Sequence, residues 1–123
     1  MKKVILDTSF ILTCVRQKID FFEYLELQGF QILIPNEVIK ELEKIVGSKK
    51  KLRVRDDAEL ALKLLKIDSF IKIDLNSRNV DKGIVKFAKE DPIMVIGTLD
   101  SAIKKRAKNP KLVIREKKRL EIV

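Results

Sequence analysis

The chain has no histidine among its 123 residues, and it has a single cysteine, Cys14. Any catalytic base, nucleophile or metal ligand must therefore be a carboxylate, a hydroxyl, an amine or that one thiol. This excludes Ser-His-Asp catalysis, Cys-His catalysis and histidine-bound zinc within this chain. One cysteine also allows no intrachain disulfide and no cysteine-rich zinc site. Both exclusions fit a reducing cytoplasm, where we expect the protein to reside.

Long apolar runs and glycine-rich loops are lacking as well. No run approaches the ~20 apolar residues of a membrane-spanning helix. The opening "MKKVILDTS" reaches Asp7 after only a few apolar residues, so we do not expect it to be a secretory leader. None of the four glycines is arranged as a phosphate-binding P-loop. With 46% apolar residues, we expect residues 1–123 to form a single folded domain.

Positive charge is abundant and unevenly distributed. The net charge is +9, from 27 lysines and arginines against 18 acids. The run "KKKLRVR" carries five positive charges and no negative one, on Lys49, Lys50, Lys51, Arg53 and Arg55. A second basic stretch extends from Lys104 to Arg119. Clustered basic charge indicates a polyanionic partner, most often nucleic acid, although a solvated lysine-rich surface gives the same composition.

Short apolar runs alternate with stretches of helical periodicity along the whole chain. The runs "KVIL", "FQILI", "FIKIDL", "IMVIGT" and "KLVIR" predict strands, and "RLEIV" predicts a last edge piece. The segments between them predict helices at Thr8 to Gln17, Asp20 to Gln28, 36–46, Arg55 to Lys66, Asp81 to Lys89 and Leu99 to Lys108. Repeated strand–helix units predict an α/β fold, with a parallel sheet between layers of helices.

Four acidic residues are expected at one edge of that sheet. Asp7 directly follows the first predicted strand, and Asp100 follows the fourth. Glu41 lies on the helix after the second strand, and Asp81 opens the helix after the third. In parallel α/β sheets, ligands bind beyond the carboxyl ends of the strands. If the first and fourth strands are neighbours, the topology brings these four carboxylates into one crevice.

Such a crevice is suited to a divalent cation. Neighbouring carboxylates raise one another's pKa, so we expect at least one of the four to have a raised pKa. Mg²⁺ and Mn²⁺ prefer oxygen ligands and relieve this repulsion. Carboxylate–metal sites activate water and stabilise the charge of phosphodiester cleavage. A basic chain with an acidic pocket therefore has the charge distribution expected of a metal-dependent nuclease.

Four sequence segments carry a resemblance to a known family: "ILDTS", "IPNEVIKELEKI", "VDKGIVKFA" and "VIGTLD". Over essentially its whole length the chain resembles PIN domains, a family of metal-dependent endoribonucleases. Within that family, it resembles the archaeal proteins that are similar to the ribosomal RNA-processing branch more than it resembles typical toxins. The resemblance implies a three-layer α/β/α sandwich around a mostly parallel sheet of about five strands. It also implies that the family's acids fall on Asp7, Glu41, Asp81 and Asp100, with Ser9 and Thr98 at hydroxyl positions beside the metal.

The chain departs from the family pattern at Leu99, where asparagine is usual, and it lacks a further acid after Ser101. The resemblance implies a Mg²⁺- or Mn²⁺-dependent endoribonuclease, with RNA as its partner. Ribosomal RNA processing, a toxin role with an antitoxin and a non-cleaving RNA-binding scaffold all stay open. Ribosomal precursor particles or a second copy of the chain are further partners that it implies. With no tryptophan and one tyrosine, recognition should rest on phosphates and shape.

Each acid also has a simpler interpretation. Asp7 and Asp100 could be helix N-caps, because each stands just before a predicted helix. Asp81 could favour the helix dipole, and Glu41 could pair with Lys44 on a solvated helix face. Singly these signals are weak, and it is their joint position at one sheet edge that favours a site.

Overall fold

A computed structural model of the protein describes residues 2–123. The strands are β1 (Lys2–Leu6), β2 (Phe30–Pro35), β3 (Ile71–Ile73), β4 (Val95–Gly97), β5 (Lys111–Arg115) and β6 (Arg119–Ile122). The α-helices are α1 (Thr8–Gln17), α2 (Phe21–Leu27), α3 (Asn36–Val46), α4 (Leu52–Ile67), α5 (Val80–Lys89) and α6 (Ser101–Arg106). A short 3₁₀ turn, Glu116–Lys118, joins the last two strands.

The six strands form one sheet in the order β3-β2-β1-β4-β5-β6. The first five are parallel, and β6 pairs antiparallel with β5. The mostly parallel sheet is therefore confirmed, and the edge piece predicted from "RLEIV" makes it six strands rather than about five. The first and fourth strands are neighbours, as the four-acid site requires, with Leu6 opposite Gly97.

Helices cover both faces of the sheet. Because successive strand residues point to opposite sides, β1, β2 and β4 each contribute side chains to two buried clusters. Val4 and Leu6 pack into a larger buried cluster, which includes Phe10 of α1 and Leu42 of α3. Ile5, between them, belongs to a smaller buried cluster. That second cluster contains Ile84, Ile96 and Ile103 from α5, β4 and α6. This gives the three α/β/α layers implied by the family resemblance.

The boundaries differ from the predictions at a few elements. Helix α4 begins at Leu52, three residues before the predicted start, while α6 is shorter than predicted at both ends. Strand β3 is only three residues long, although "FIKIDL" alternates over six. No helix within residues 2–123 has the length and hydropathy needed to cross a membrane. Cys14 is fully buried, and burial raises the pKa of its thiol to about 12, so it is a core residue.

Asn109 holds together the chain connections at the amino end of the sheet. Its side-chain amide donates to the carbonyl oxygens of Ala88 (3.0 Å), Asp91 (2.9 Å) and Met94 (3.0 Å). These carbonyls belong to the end of α5 and the turn into β4, and Asn109 itself is buried. The Ala88 and Asp91 carbonyls also accept from the Asp91 N–H (3.1 Å) and the Met94 N–H (2.9 Å), so the amide reinforces a turn that its own backbone bonds begin.

We expect Asn109→Asp to destabilise the protein by about 2–3 kcal/mol. The substitution keeps the side-chain shape but removes both N–H donors, so three carbonyls lose this hydrogen bond and face a carboxylate. Urea denaturation followed by circular dichroism would measure the loss. Lys108→Ala, one residue away on an exposed position, serves as the control. Equal stability of the Asn109→Asp variant and the wild type would contradict this role.

Candidate active site

Asp7 is the buried centre of the predicted site, with 4% of its surface exposed. Its backbone N–H continues the β1–β4 ladder by donating to the Gly97 carbonyl (3.1 Å). Its Oδ1 accepts from the Ser9 hydroxyl (2.8 Å) and from the Phe10 N–H (3.0 Å), which caps α1. Its Oδ2 accepts a short hydrogen bond from the Thr98 hydroxyl. Both predicted hydroxyl positions, Ser9 and Thr98, therefore lie on this carboxylate.

The loop between β4 and α6 is tied to Asp7 through the same two hydroxyls. The Asp100 N–H donates to Thr98 Oγ1 (3.0 Å), and the Leu99 N–H donates to Ser9 Oγ (3.2 Å). Although the Leu99 side chain is partly exposed and has no polar group, its backbone fixes the loop. Asp100 Oδ1 accepts from the Ala102 and Ile103 N–H groups (2.7 and 3.3 Å) and so caps α6.

Glu41 reaches the site from α3, which begins after Pro35 at the end of β2. Its Oε1 accepts from the Thr8 hydroxyl at 2.9 Å, across 33 residues of sequence. Glu41 is half-buried, and no salt bridge joins it to Lys44 in the part of the chain that the structure describes. The sequence pattern predicts no role for Thr8. The only sequence signal for it was its place between Asp7 and Ser9 in "DTS".

Asp81 is the second residue of α5, whose first turn is capped by the Asn79 side chain (3.0 Å to the Lys82 N–H). Burial, a hydrogen bond with the Asp100 carboxyl group and the charge of Asp100 raise the pKa of Asp81. The charges of Asp7 and Glu41 raise the pKa of Asp81 further. The four predicted acids therefore lie close enough together for Asp81 to respond to the other three.

The pKa values of Asp7 and Asp100 are shifted in opposite directions. Burial raises the pKa of Asp7 above its ordinary value, even though hydrogen bonds from Thr98, Phe10 and Ser9 oppose that shift. For Asp100, burial also opposes ionisation. Its bonds from the Ala102 and Ile103 N–H groups, its contact with Asp81 and the nearby charge of Arg106 outweigh burial and lower its pKa. Repulsion among the acids thus contributes to the raised pKa of Asp81, whereas the raised pKa of Asp7 comes mainly from burial.

The donor set fits a hard divalent cation in its chemistry, because it consists only of carboxylate oxygens. The arrangement itself is more open than a closed ligand cage. Across residues 2–123, no three acidic, histidine or cysteine side chains are grouped closely enough to hold a metal ion as they stand. Burial raises the pKa of Asp81 most, and the charges of the other three acids add to that shift.

The predicted RNA-binding run lies beyond α3, at the turn into α4. Lys49, Lys50 and Lys51 are in the connecting loop, and Arg53 and Arg55 are in the first turns of α4. The first four are exposed, whereas Arg55 is half-buried and donates from Nε to the Lys50 carbonyl (3.0 Å). Arg55 therefore closes the loop, while the other four present their charge to solvent.

We expect Asp81→Asn to stabilise the metal-free protein modestly at neutral pH, by less than about 1 kcal/mol, because solvent screens this half-exposed group. A raised folded-state pKa means that stability falls as pH rises from the ordinary value of 3.8 through the raised pKa. The advantage of the variant should therefore grow over this range and stay constant above it. Denaturation in EDTA at several pH values would measure it, with exposed Asp56→Asn as control. A variant less stable than the wild type at pH 7 would contradict the repulsion.

Comparison with known proteins supports this architecture. A family model described as "PIN like domain" matches residues 4–119. The chain is 29% identical to Ribonuclease VapC4 of Methanocaldococcus jannaschii, over 99% of this chain and 97% of that protein. The solved PIN domain endonuclease Utp24 superposes with a TM-score of 0.72 and 26% identity, covering 98% of this chain and 95% of its own.

A second solved structure is similar in fold alone. It is VapBC2 from Rickettsia felis bound to a DNA fragment from their promoter, with a TM-score of 0.53 and 15% identity. The match covers 89% of this chain and 98% of that one. Because the family model spans nearly the whole chain, the resemblance found in the four sequence segments is confirmed, and the protein belongs to the PIN-like domain family.

Proposed function

We propose that the protein is an endoribonuclease that hydrolyses RNA phosphodiester bonds at the four-acid edge of its sheet, with Mg²⁺ or Mn²⁺ as cofactor. The observation that carries the proposal is that the buried carboxylate of Asp7 and the acids Glu41 and Asp100 all act on the pKa of Asp81, although the four come from separate segments of the chain. The net charge of +9 supports a polyanionic substrate. The names of two similar proteins, a ribonuclease and a PIN domain endonuclease, support the reaction class.

Asp7, Glu41, Asp81 and Asp100 are the residues that would hold the cation. When bound, the cation supplies activation of water and stabilisation of charge on the phosphate. The protein's own contribution is to orient the carboxylates in advance. Ser9 and Thr98 hold Asp7, and Thr8 holds Glu41. Carboxylates that are already hydrogen-bonded lose little freedom when they take up a ligand.

For the biological role we propose ribosomal RNA processing, which the sequence resemblance implies. The resemblance leaves a second candidate open, a toxin ribonuclease that pairs with an antitoxin, and the similarity to Ribonuclease VapC4 supports the ribonuclease activity that both roles need. Crosslinking in cell extract would separate the two. Recovery of ribosomal precursor RNA supports the first, whereas recovery of a small protein in a stoichiometric complex that blocks cleavage supports the second.

Substitution of a site acid should remove cleavage without unfolding the chain. We expect Glu41→Gln to lower Mn²⁺-dependent cleavage of single-stranded RNA at least about 100-fold, because loss of even an outer partner of a metal site costs up to that much. We expect a similar loss for Asp7→Asn. Glu43→Gln, two residues further along α3 and exposed, is the matched control.

Cleavage rates and circular dichroism would be measured on all three variants. Cleavage that persists in excess EDTA, or that is the same in Glu41→Gln and Glu43→Gln, would refute the mechanism. RNA binding that is retained while no protein cleaves would indicate the non-cleaving scaffold instead.

The basic run should contribute binding energy that depends on salt. We expect neutralising Lys49, Lys50, Lys51 and Arg53 together to weaken RNA binding and to flatten its dependence on salt concentration. Each lost phosphate contact lowers the log–log slope by about 0.7 for a single strand. Anisotropy titrations of a labelled oligoribonucleotide at several salt concentrations would measure the slope. A slope unchanged by the four substitutions would show that the run only keeps the protein in solution.

A further inference from the structure

An open cleft of about 520 Å³ lies beside the acidic residues, between α3 and the start of α5. Two of the site acids, Glu41 and Asp81, form part of its wall, so the cleft is continuous with the proposed catalytic edge. Its other polar walls include three cationic side chains, those of Lys40, Lys44 and Arg78. The sequence pattern gives Lys40 and Arg78 no role and Lys44 only a possible pairing with Glu41, because the three form no basic run.

The three cations Lys40, Lys44 and Arg78, here called the cleft cations, form no ion pair within residues 2–123. Two of the three carboxylates in the cleft wall accept hydrogen bonds from other groups. Glu37 accepts from the Leu75 N–H (3.2 Å), and Glu41 accepts from the Thr8 hydroxyl (2.9 Å). Within residues 2–123 the cleft wall thus carries three cations and three carboxylates that form no ion pair with one another, so the cations can still bind an anion.

The two lysines project from one face of α3, because residues four apart in a helix are neighbours. Arg78 faces them from the loop of residues 74–79, which runs from β3 to α5. That loop is fastened to the beginning of α3 by two bonds. The Asn36 amide donates to Asp74 (2.8 Å), and the Leu75 N–H donates to Glu37. The chain just before Arg78 thus has a defined place opposite the lysines.

Gly83 of α5 lets the same loop pack closely on its other side. A Cβ atom at position 83 would lie 3.0 Å from the Ser77 Cβ and 3.1 Å from the Leu75 Cβ. The loop therefore occupies the space that a side chain of α5 would fill, and it is held between α3 and α5. Contacts with both helices therefore fix the position of the loop that carries Arg78.

We infer that the cleft cations bind a backbone phosphate of the RNA, on one side of the scissile bond, and so set the path of the strand across the acidic site. This inference rests on the proposed function, since the phosphate belongs to the substrate of that site. A phosphodiester is the anion that necessarily accompanies the bond being cut. Arginine can bind its oxygens through two parallel hydrogen bonds, and lysines add point charges.

The test compares two triple variants. In the first, Lys40, Lys44 and Arg78 are changed to glutamine. In the matched control, Lys3, Lys66 and Lys89 are changed to glutamine. These control lysines are exposed, lie outside the cleft wall and lie near the amino ends of strands, away from the acids. Both variants lose three charges, so general attraction of RNA falls equally in the two proteins.

We expect the cleft variant to raise KM for a short single-stranded oligoribonucleotide about tenfold, the scale of losing charge-assisted hydrogen bonds, with kcat changed less than twofold. The control variant should leave both within about twofold. A neutral methylphosphonate linkage, placed in turn at each position beside the cut, identifies the phosphate. One position should raise KM for the wild type and the control but not for the cleft variant. Equal KM values for the two triple variants, or the same methylphosphonate pattern in all three proteins, would overturn the inference.

Binding without cleavage separates this inference from the proposed function. Anisotropy in EDTA, with the same oligonucleotide, reports the cleft alone. A cleft variant that binds about tenfold more weakly than the control supports the phosphate site even if no protein cleaves RNA, a result that would contradict only the proposed function. Equal affinities of the two variants in EDTA would overturn the cleft site, even if the wild type is an active nuclease.

Discussion

The buried carboxylate of Asp7 is the interaction on which the rest of the structure depends. Burying a charge at the end of β1 costs free energy unless donors surround it. The donors come from three places: the Ser9 hydroxyl, the first turn of α1 and the Thr98 hydroxyl after β4. The hydrogen bonds to this one carboxylate therefore fix where α1 begins and where β4 ends. The pKa of Asp7 is still raised, so the donors offset the cost of burial only in part.

Helix capping and ligand binding are not competing explanations of the same aspartates. Asp7 and Asp100 both cap helices, as the simpler interpretation predicted. In Asp100, however, both capping bonds go to Oδ1. Capping thereby orients the carboxylate and lowers its pKa, which keeps it ionised next to Asp81. A cap at the start of a helix after a parallel strand is placed at the edge where ligands bind, so one residue can serve both purposes.

The sequence predicts the parallel sheet and the meeting of the four acids because both follow from local pattern and topology. Asp7 and Asp100 stand beside apolar runs, and parallel strands bring their ends together. The boundaries of α4 and β3 are harder to predict from the sequence. Lys51, just before α4, gives no capping signal, and the alternation in "FIKIDL" does not show how many of its residues pair with a neighbouring strand. The Thr8–Glu41 bond and the position of Arg78 depend on contacts between distant segments, which no local pattern carries.

Helix α3 holds opposite charges within one turn without letting them neutralise each other. Glu41 and Lys44 are three residues apart, a spacing that favours an ion pair on an exposed helix. The Thr8 hydroxyl instead holds Glu41 toward the start of α1, and this direction keeps its carboxylate with the other acids. Lys44 then remains available to the cleft. The Thr8 hydroxyl thus leaves the acids of the proposed cation site and the cations of the proposed phosphate site side by side along one cleft. A nuclease needs both, because its substrate is a polyanion cut at a site of negative charge.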